Sequence, residues 1–250
     1  MRISLTLMLC ALALGCAAST AGAAEVNFGG TIVGAFPVGA FADTEGIIGK
    51  SPYGWRAIGG AAGTGFGFNL ELETRVGKVT WVGLRFGYVK YGADATDLRN
   101  YINSVPDTSS TPQEVTAMDG TWTNTFISFP FRFIARDFQS GNAYLKFDIG
   151  WVKVTNSYEG TVRLGDPPAD NPFTADFKLG NQFFLAGGVG VDFRVGKSLA
   201  IIAEVRYNYI FLGGAEATST VGLRTIRSVQ DFNPQTVEVV VGVRIPLGGI

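Results

Sequence analysis

The stretch Val79-Thr80-Trp81-Val82-Gly83-Leu84-Arg85-Phe86-Gly87-Tyr88-Val89-Lys90-Tyr91 alternates with a period of two, so that Val82, Leu84, Phe86 and Tyr88 share one face and Gly83, Arg85 and Gly87 the other. Successive side chains of a β-strand point to opposite faces, whereas an amphipathic helix needs apolar residues three and four apart. The segment therefore reads as a strand with one bulky apolar face and one face of glycine and charge. From Ala143 onward the same split sets Leu145, Phe147, Ile149 and Trp151 against Lys146, Asp148 and Gly150. Phe183, Leu185, Val189, Val191 and Phe193 oppose Gly188, Gly190, Asp192 and Arg194, and Leu199, Ile201, Val205 and Tyr207 oppose Glu204, Arg206 and Asn208. At the end of the chain Val237, Val239, Val241, Val243 and Ile245 oppose Glu238, Gly242 and Arg244.

Carried along the chain, the pattern predicts eight strands at about 26–38, 61–76, 79–91, 121–135, 143–158, 180–195, 198–212 and 235–247. The connections alternate in length. Long ones at 39–60, 92–120, 159–179 and 213–234 are separated by tight turns at Gly77-Lys78 and Gly196-Lys197 and a short link at 136–142. An antiparallel up-and-down meander with all its long loops at one end gives this order directly.

The charge distribution decides which face points where. The glycine-bearing face carries Glu71, Glu73, Arg75, Arg85, Arg132, Lys146, Asp148, Asp192, Arg194, Glu204, Arg206, Glu238 and Arg244, while the other is almost purely Val, Leu, Ile, Phe and Tyr. An eight-stranded barrel has an interior only wide enough for side chains, and stacks of Phe and Tyr from every strand would overfill it. Glycine alternating with paired acids and bases fits that space, which leaves the bulky residues facing lipid. Aromatic residues fall near both strand ends. Tyr88, Tyr91, Trp151, Tyr158, Tyr207, Tyr209 and Phe211 approach the long loops, and Trp81, Phe133 and Phe193 the tight turns, as two interfacial girdles would. The expected fold is all-β: an eight-stranded antiparallel up-and-down transmembrane β-barrel with four long outer loops and three short periplasmic turns.

The N-terminus is read as an export signal. Met1-Arg2 supplies a positive start, Leu5 to Leu14 an apolar core and Ala21-Gly22-Ala23 a small-x-small cleavage site. The apolar run is shorter than the roughly 20 residues of a spanning helix. Residues 1–23 are thus expected to be a cleaved leader and 24–250 the barrel domain, with cleavage between Ala23 and Glu25. A lipoprotein cut before Cys16 is the rival, with Ala13 where that motif favours leucine. Both cysteines, Cys10 and Cys16, lie in the leader, so the mature chain has neither thiol nor disulfide. Taking Arg2 from the 20 basic residues leaves 19 against 21 acidic ones, which does not suggest a nucleic-acid surface. With no histidine, imidazole bases and histidine zinc sites are excluded.

The opening strand ending Phe36-Pro37-Val38-Gly39, the strand Ile127-Ser128-Phe129-Pro130-Phe131-Arg132, the segment Ala186-Gly187-Gly188-Val189-Gly190-Val191-Asp192 and the closing Val241-Gly242-Val243-Arg244-Ile245-Pro246-Leu247 carry a resemblance. The chain resembles the small outer-membrane β-barrel family, which includes eight-stranded barrels similar to the OmpA transmembrane domain and OmpX. The resemblance implies residence in the bacterial outer membrane, contact with outer-membrane lipid, and recognition by the outer-membrane assembly machinery through Gly242, Ile245 and Leu247. This chain ends Gly248-Gly249-Ile250, where the family favours a terminal phenylalanine.

Other motifs weigh less. Gly63-Thr64-Gly65-Phe66-Gly67 lacks the lysine and spacing of a phosphate loop. Glu71 and Glu73 could act as an acid and base pair, but beside Arg75 they read as part of an ion-pair lattice. Arg206 is expected to pair with Glu204 or Asp192. The polar segments Asp94 to Asp119 and Asp166 to Asn171-Pro172 read as mobile surface loops, able to bind a host or envelope protein or to serve as plain connectors. Asp166, Asp170 and Asp176 could attract calcium, although the EF-hand order is missing. Catalytic, cofactor and metal residues are expected to be absent. The function expected is non-enzymatic, structural or adhesive; the alternatives are a minor pore and an envelope-lipid enzyme, the familiar examples of which rely on histidine.

Overall fold

A computed structural model describes residues 25–43, 55–57, 59–104, 113–165, 167–196 and 198–248. The expected leader, Pro106 to Pro112, Asp166 and Lys197 lie outside the described residues. The strands are β1 (Val26–Val38), β2 (Trp55–Ala57), β3 (Ala62–Arg75), β4 (Thr80–Ala93), β5 (Gln113–Phe138), β6 (Gly141–Leu164), β7 (Ala169–Val195), β8 (Leu199–Phe211), β9 (Ala215–Val221), β10 (Arg224–Gln230) and β11 (Gln235–Gly248). A 3-10 turn spans Gly39–Phe41 and helix α1 spans Thr96–Ser104.

Eight strands close into an antiparallel barrel in the order β1-β11-β8-β7-β6-β5-β4-β3, the first strand pairing with the last from Val26↔Gly248 to Val38↔Gln235. No described helix is long and apolar enough to cross a membrane; the closed antiparallel ladder leaves no open sheet edge, the form in which strands can cross lipid. Phe147, Val189 and Val205 are half exposed on the outside, while Arg85, Arg132 and Asp148 are at most 1% exposed inside. Opposite Pro130, which has no N–H to donate, the β4–β5 ladder runs from Val82↔Phe131 directly to Arg85↔Ser128 without losing register.

The structure corrects the loop reading. β6 has 24 residues, about 80 Å along the strand, although about 9–11 residues suffice to span a bilayer. β6 and β7 stay paired out to Leu164↔Ala169, so the expected long loop 159–179 is an extended hairpin closed at 165–168. The expected loop 92–120 contains α1 and the first residues of β5, and β9–β10 with β2 builds a small second sheet from the expected loops 39–60 and 213–234.

The physical reason is a reversal of polarity. Within lipid β6 points Leu145, Phe147, Ile149 and Trp151 outward and Lys146 and Asp148 inward. Beyond Trp151 it points Lys153, Thr155, Ser157 and Glu159 outward and Val152, Val154, Tyr158 and Val162 inward, as a wall standing in water must. On β7 the change is accompanied by a bulge: Val154 pairs with Gly180 but Thr155 with Lys178, which leaves Leu179 as the extra residue. Gly180 takes φ 81°, a conformation that costs glycine nothing. Inward positions are therefore even-numbered below it (Phe184, Ala186, Asp192) and odd-numbered above it (Ala175, Phe177, Leu179). The strip was hard to recognise as strand because both its polarity and its parity change.

Candidate functional site

The lumen has two storeys, and the one nearer the short turns is charged. Arg132 holds Glu73 with Nε at 3.0 Å and Nη2 at 2.9 Å and approaches Asp192 at 3.5 Å. Arg244 bridges the same two carboxylates, at 3.3 Å to Glu73 and 2.7 Å to Asp192. Both guanidinium groups lie over the ring of Tyr144, and Arg132 also covers Trp81 at 4.7 Å. Further out, Lys146 Nζ sits 2.5 Å from Glu71 and 3.8 Å from Glu204. Arg206 places Nε 2.7 Å and Nη2 2.5 Å from Glu204 Oε1, with Glu238 at 3.5 Å and Asp148 at 3.8 Å. Arg85 stands 3.1 Å from Asp148, without hydrogen-bond alignment, and stacks on Phe126 at 4.9 Å.

The lattice thus gathers Glu71, Glu73, Asp148, Asp192, Glu204 and Glu238 with Arg85, Arg132, Lys146, Arg206 and Arg244, six carboxyl groups against five bases. Arg75 and Arg194 are corrections to the thirteen residues that the sequence placed inside. Both are exposed at the short-turn rim, where Arg75 pairs with Glu25 at 2.9 Å and Arg194 reaches Asn142. Each lies past the end of the lumen, where water solvates it more cheaply than a buried partner. Asp192 serves Arg132 and Arg244 rather than Arg206, whose nearest acid is Glu204.

The outer storey is apolar and aromatic, against the expectation of glycine and charge alone. Phe126 and Phe184 meet edge to face at 5.4 Å above Arg85. Beyond them Phe41 packs on Tyr91 at 5.3 Å, Trp122 at 5.5 Å and Phe232 at 6.2 Å, and Trp122 Nε1 donates to the Gly60 carbonyl at 2.8 Å. Trp81, Tyr91 and Tyr158 accordingly point inward and do not belong to the interfacial girdles. The glycines make this possible. A Cβ at Gly87 would collide with Phe126, at Gly65 with Tyr91, at Gly120 with Tyr158 and at Gly190 with Tyr144. Glycine on one strand is the socket for a ring on another. Trp122 shares its parity with Asn124, Ser128 and Arg132, so strand alternation could have found it, whereas Phe41 and Phe232 enter from connections with no periodic signal.

Little space remains. A cavity of about 10 Å³ beside Lys146 and Glu204, and one of about 20 Å³ between Asn124, Asn208, Thr236 and Glu238, each have room for about one water. The described residues contain no group of three or more metal-ligating side chains, and Asp170 is paired with Arg163 at 3.0 Å.

A membrane-spanning antiparallel meander, apolar toward lipid and charged within, defines a small outer-membrane β-barrel. The chain belongs to the outer membrane protein beta-barrel domain family, whose model matches residues 7–244, and its place is the bacterial outer membrane. No relative is found among curated proteins. Among solved structures the chain is similar to Neisserial surface protein A (16% identity, 90% of this chain and 98% of that one, TM-score 0.36). It is also similar to Ail, the attachment invasion locus protein of Yersinia pestis (12%, 89% and 98%, TM-score 0.35), and to a major outer membrane protein from Thermus thermophilus (12%, 89% and 99%, TM-score 0.48).

Proposed function

We propose that the protein is a non-enzymatic barrel with a structural role in the outer membrane and a binding role at its outer end, and that it is not a channel. One observation carries this reading: the lumen is filled twice, by an ion-pair lattice below and an aromatic lid above. The carboxyl groups that could do acid-base chemistry are taken, Glu71 by Lys146 and Glu73 by Arg132 and Arg244. The binding role draws support from the outer end, where β5, β6 and β7 rise beyond the lipid band and their inward apolar residues continue the core of the outer lumen. That extension is stitched to the β9–β10 hairpin by Gln113, whose Nε2 donates to Val221 O at 3.1 Å while its Oε1 accepts from Leu223 N at 3.0 Å. An ordered platform loses less entropy on meeting a host or envelope protein than mobile loops would.

Planar-bilayer recording of the refolded full chain tests the reading. Only small flickering conductance is expected. A large, stable, ohmic conductance would overturn it in favour of a pore.

A further inference from the structure

The register arranges the outward side chains of β4, β5, β6 and β7 in rows. Phe86, Ile127, Trp151 and Phe183 make one apolar row. The next row outward is Tyr88, Thr125, Lys153 and Asn181, and the next Lys90, Thr123, Thr155 and Lys178. Hydrocarbon-facing surface gives way to cation and hydroxyl within two rows. With strands about 4.8 Å apart and alternate residues about 6.6 Å apart, the three lysine Cα atoms stand about 8 to 14 Å from one another, a spacing their flexible stems can close onto one anion.

All three lysines are exposed, and none forms an ion pair among the described residues. The outward carboxylates nearby are Asp176, one row beyond Lys178 on its own strand, and Asp119 and Glu159, further out still. On the opposite wall the outer ends of β8, β11, β1 and β3 present Phe211, Tyr209, Gln235, Val38, Phe36 and Phe66, with no cation. Among the described barrel strands the positive patch therefore lies on one side and abuts the apolar band.

We propose that this face binds a phosphate-bearing lipid of the outer leaflet, its phosphate among Lys90, Lys153 and Lys178 and its acyl chains along Phe86, Ile127, Trp151 and Phe183. The choice of a lipid over a free anion or a polyanionic glycan rests on adjacency. Cation and hydrocarbon contact lie side by side, and only a ligand with both features uses both. The threonines of the intervening strands, Thr123, Thr125 and Thr155, supply hydroxyl donors to the same phosphate.

The test uses the refolded full chain in zwitterionic lipid nanodiscs, titrated with a bis-phosphorylated glucosamine-disaccharide lipid and with its dephosphorylated form, bound lipid being counted by native mass spectrometry. Substituting Lys90→Gln, Lys153→Gln and Lys178→Gln together should weaken retention of the phosphorylated lipid about a hundredfold, about fivefold per lysine. The corresponding arginine variant and Lys78→Gln, at the other end of the barrel, should bind normally, and Trp151→Ala should lower lipid retention without affecting inorganic phosphate. Retained mobility shift of the unboiled variants on a detergent gel establishes that each is folded. Unchanged binding by the triple variant, or equal binding of the dephosphorylated lipid, overturns the proposal. Competition by inorganic phosphate or by a soluble sulfated glycan at the lipid's own concentration overturns it in favour of an anion or glycan site.

Discussion

Replacing Arg206 with methionine should destabilise the barrel far more than replacing its partner Glu238 with glutamine. The Arg206 side chain is 2% exposed and touches three carboxylates, Glu204 at 2.5 Å, Glu238 at 3.5 Å and Asp148 at 3.8 Å. When it is removed, Glu204 keeps Lys146 at 3.8 Å and Asp148 keeps Arg85 at 3.1 Å, but Glu238 loses its ion pair. The lumen then holds six carboxyl groups against four bases, one step further from the balance that six against five already misses. Deleting one partner of a buried pair costs about 3–5 kcal/mol. Glu238→Gln moves the count the other way, to five against five, and leaves Arg206 held by Glu204, so its cost should stay below about 1 kcal/mol. The double variant Arg206→Met/Glu204→Gln removes one charge of each sign and should recover about half of the single loss. Denaturant unfolding in lipid vesicles, followed by tryptophan fluorescence, reads these differences. At a slope of about 2 kcal/mol/M, Arg206→Met should lower the midpoint by about 2 M and Glu238→Gln by less than about 0.5 M. Equal shifts for the two single variants, or a double variant less stable than Arg206→Met, would refute the argument from charge balance.

Leu84→Arg, on the lipid face near mid-membrane, should cost about 2–4 kcal/mol in the same assay. The sequence suggests that Gly83→Ala on the inner face is the milder change. It is not expected to be silent, because a Cβ there would run into the Leu72 carbonyl and stand 3.1 Å from Glu73 Cα, so a clear loss is expected and a wild-type midpoint would show β3 and β4 to be less closely apposed. Trp122→Ala should destabilise by about 3–5 kcal/mol by emptying the lid, yet bilayer conductance should stay low because the lattice beneath is intact; a stable current would place the seal in the lid alone. Asp94 accepts a hydrogen bond from the Thr96 backbone N–H at 2.8 Å at the start of α1, and bonds from Thr96 side chain and backbone hold its carboxyl below the ordinary 3.8. A depressed folded value means that the contribution is present above pH 3.8 and lost as pH falls through the folded value, so the protection of α1 amides from hydrogen exchange, taken relative to the intrinsic rate at each pH, should fall at strongly acidic pH; unchanged protection would remove Asp94 as its cap.

Most of the barrel was legible because its two determinants are local. Alternation from Val82 to Tyr88 makes a strand whatever it pairs with, and the segregation of Leu, Phe and Val from Arg, Lys and Glu orients that strand toward lipid. Eleven lattice members follow from parity alone, since a charge on the glycine face has nowhere else to go within the membrane. Arg75 and Arg194 share that parity but lie past the end of the lumen, which parity cannot register. Tyr144, which donates to Glu204 at 3.2 Å, shares it too and went uncounted as an aromatic.

Other features depend on distance across the barrel. Lys146 meets Glu71 75 residues away, and Arg132 meets Glu73 59 residues away, because closure of β1 on β11 and the stagger of every ladder between bring those levels together across the lumen. Alternation states which way a side chain points and is silent on what stands opposite, so the reach of Arg132 to Asp192 and of Arg206 to Glu238, and the sockets that glycines offer to rings, belong to the closed barrel, whereas Arg206 and Glu204, two residues apart on one face, pair locally. The outer platform is the clearest case. Its strands reverse polarity where lipid gives way to water, and the Leu179–Gly180 bulge shifts parity at that boundary, so a search for one continuous apolar face ends at Trp151. The sequence therefore specified strands, faces and lumen chemistry, which each residue's own polarity dictates; the partners across the lumen, the lid and the platform were decided by the tertiary structure, because they require separate segments to be placed at the same height.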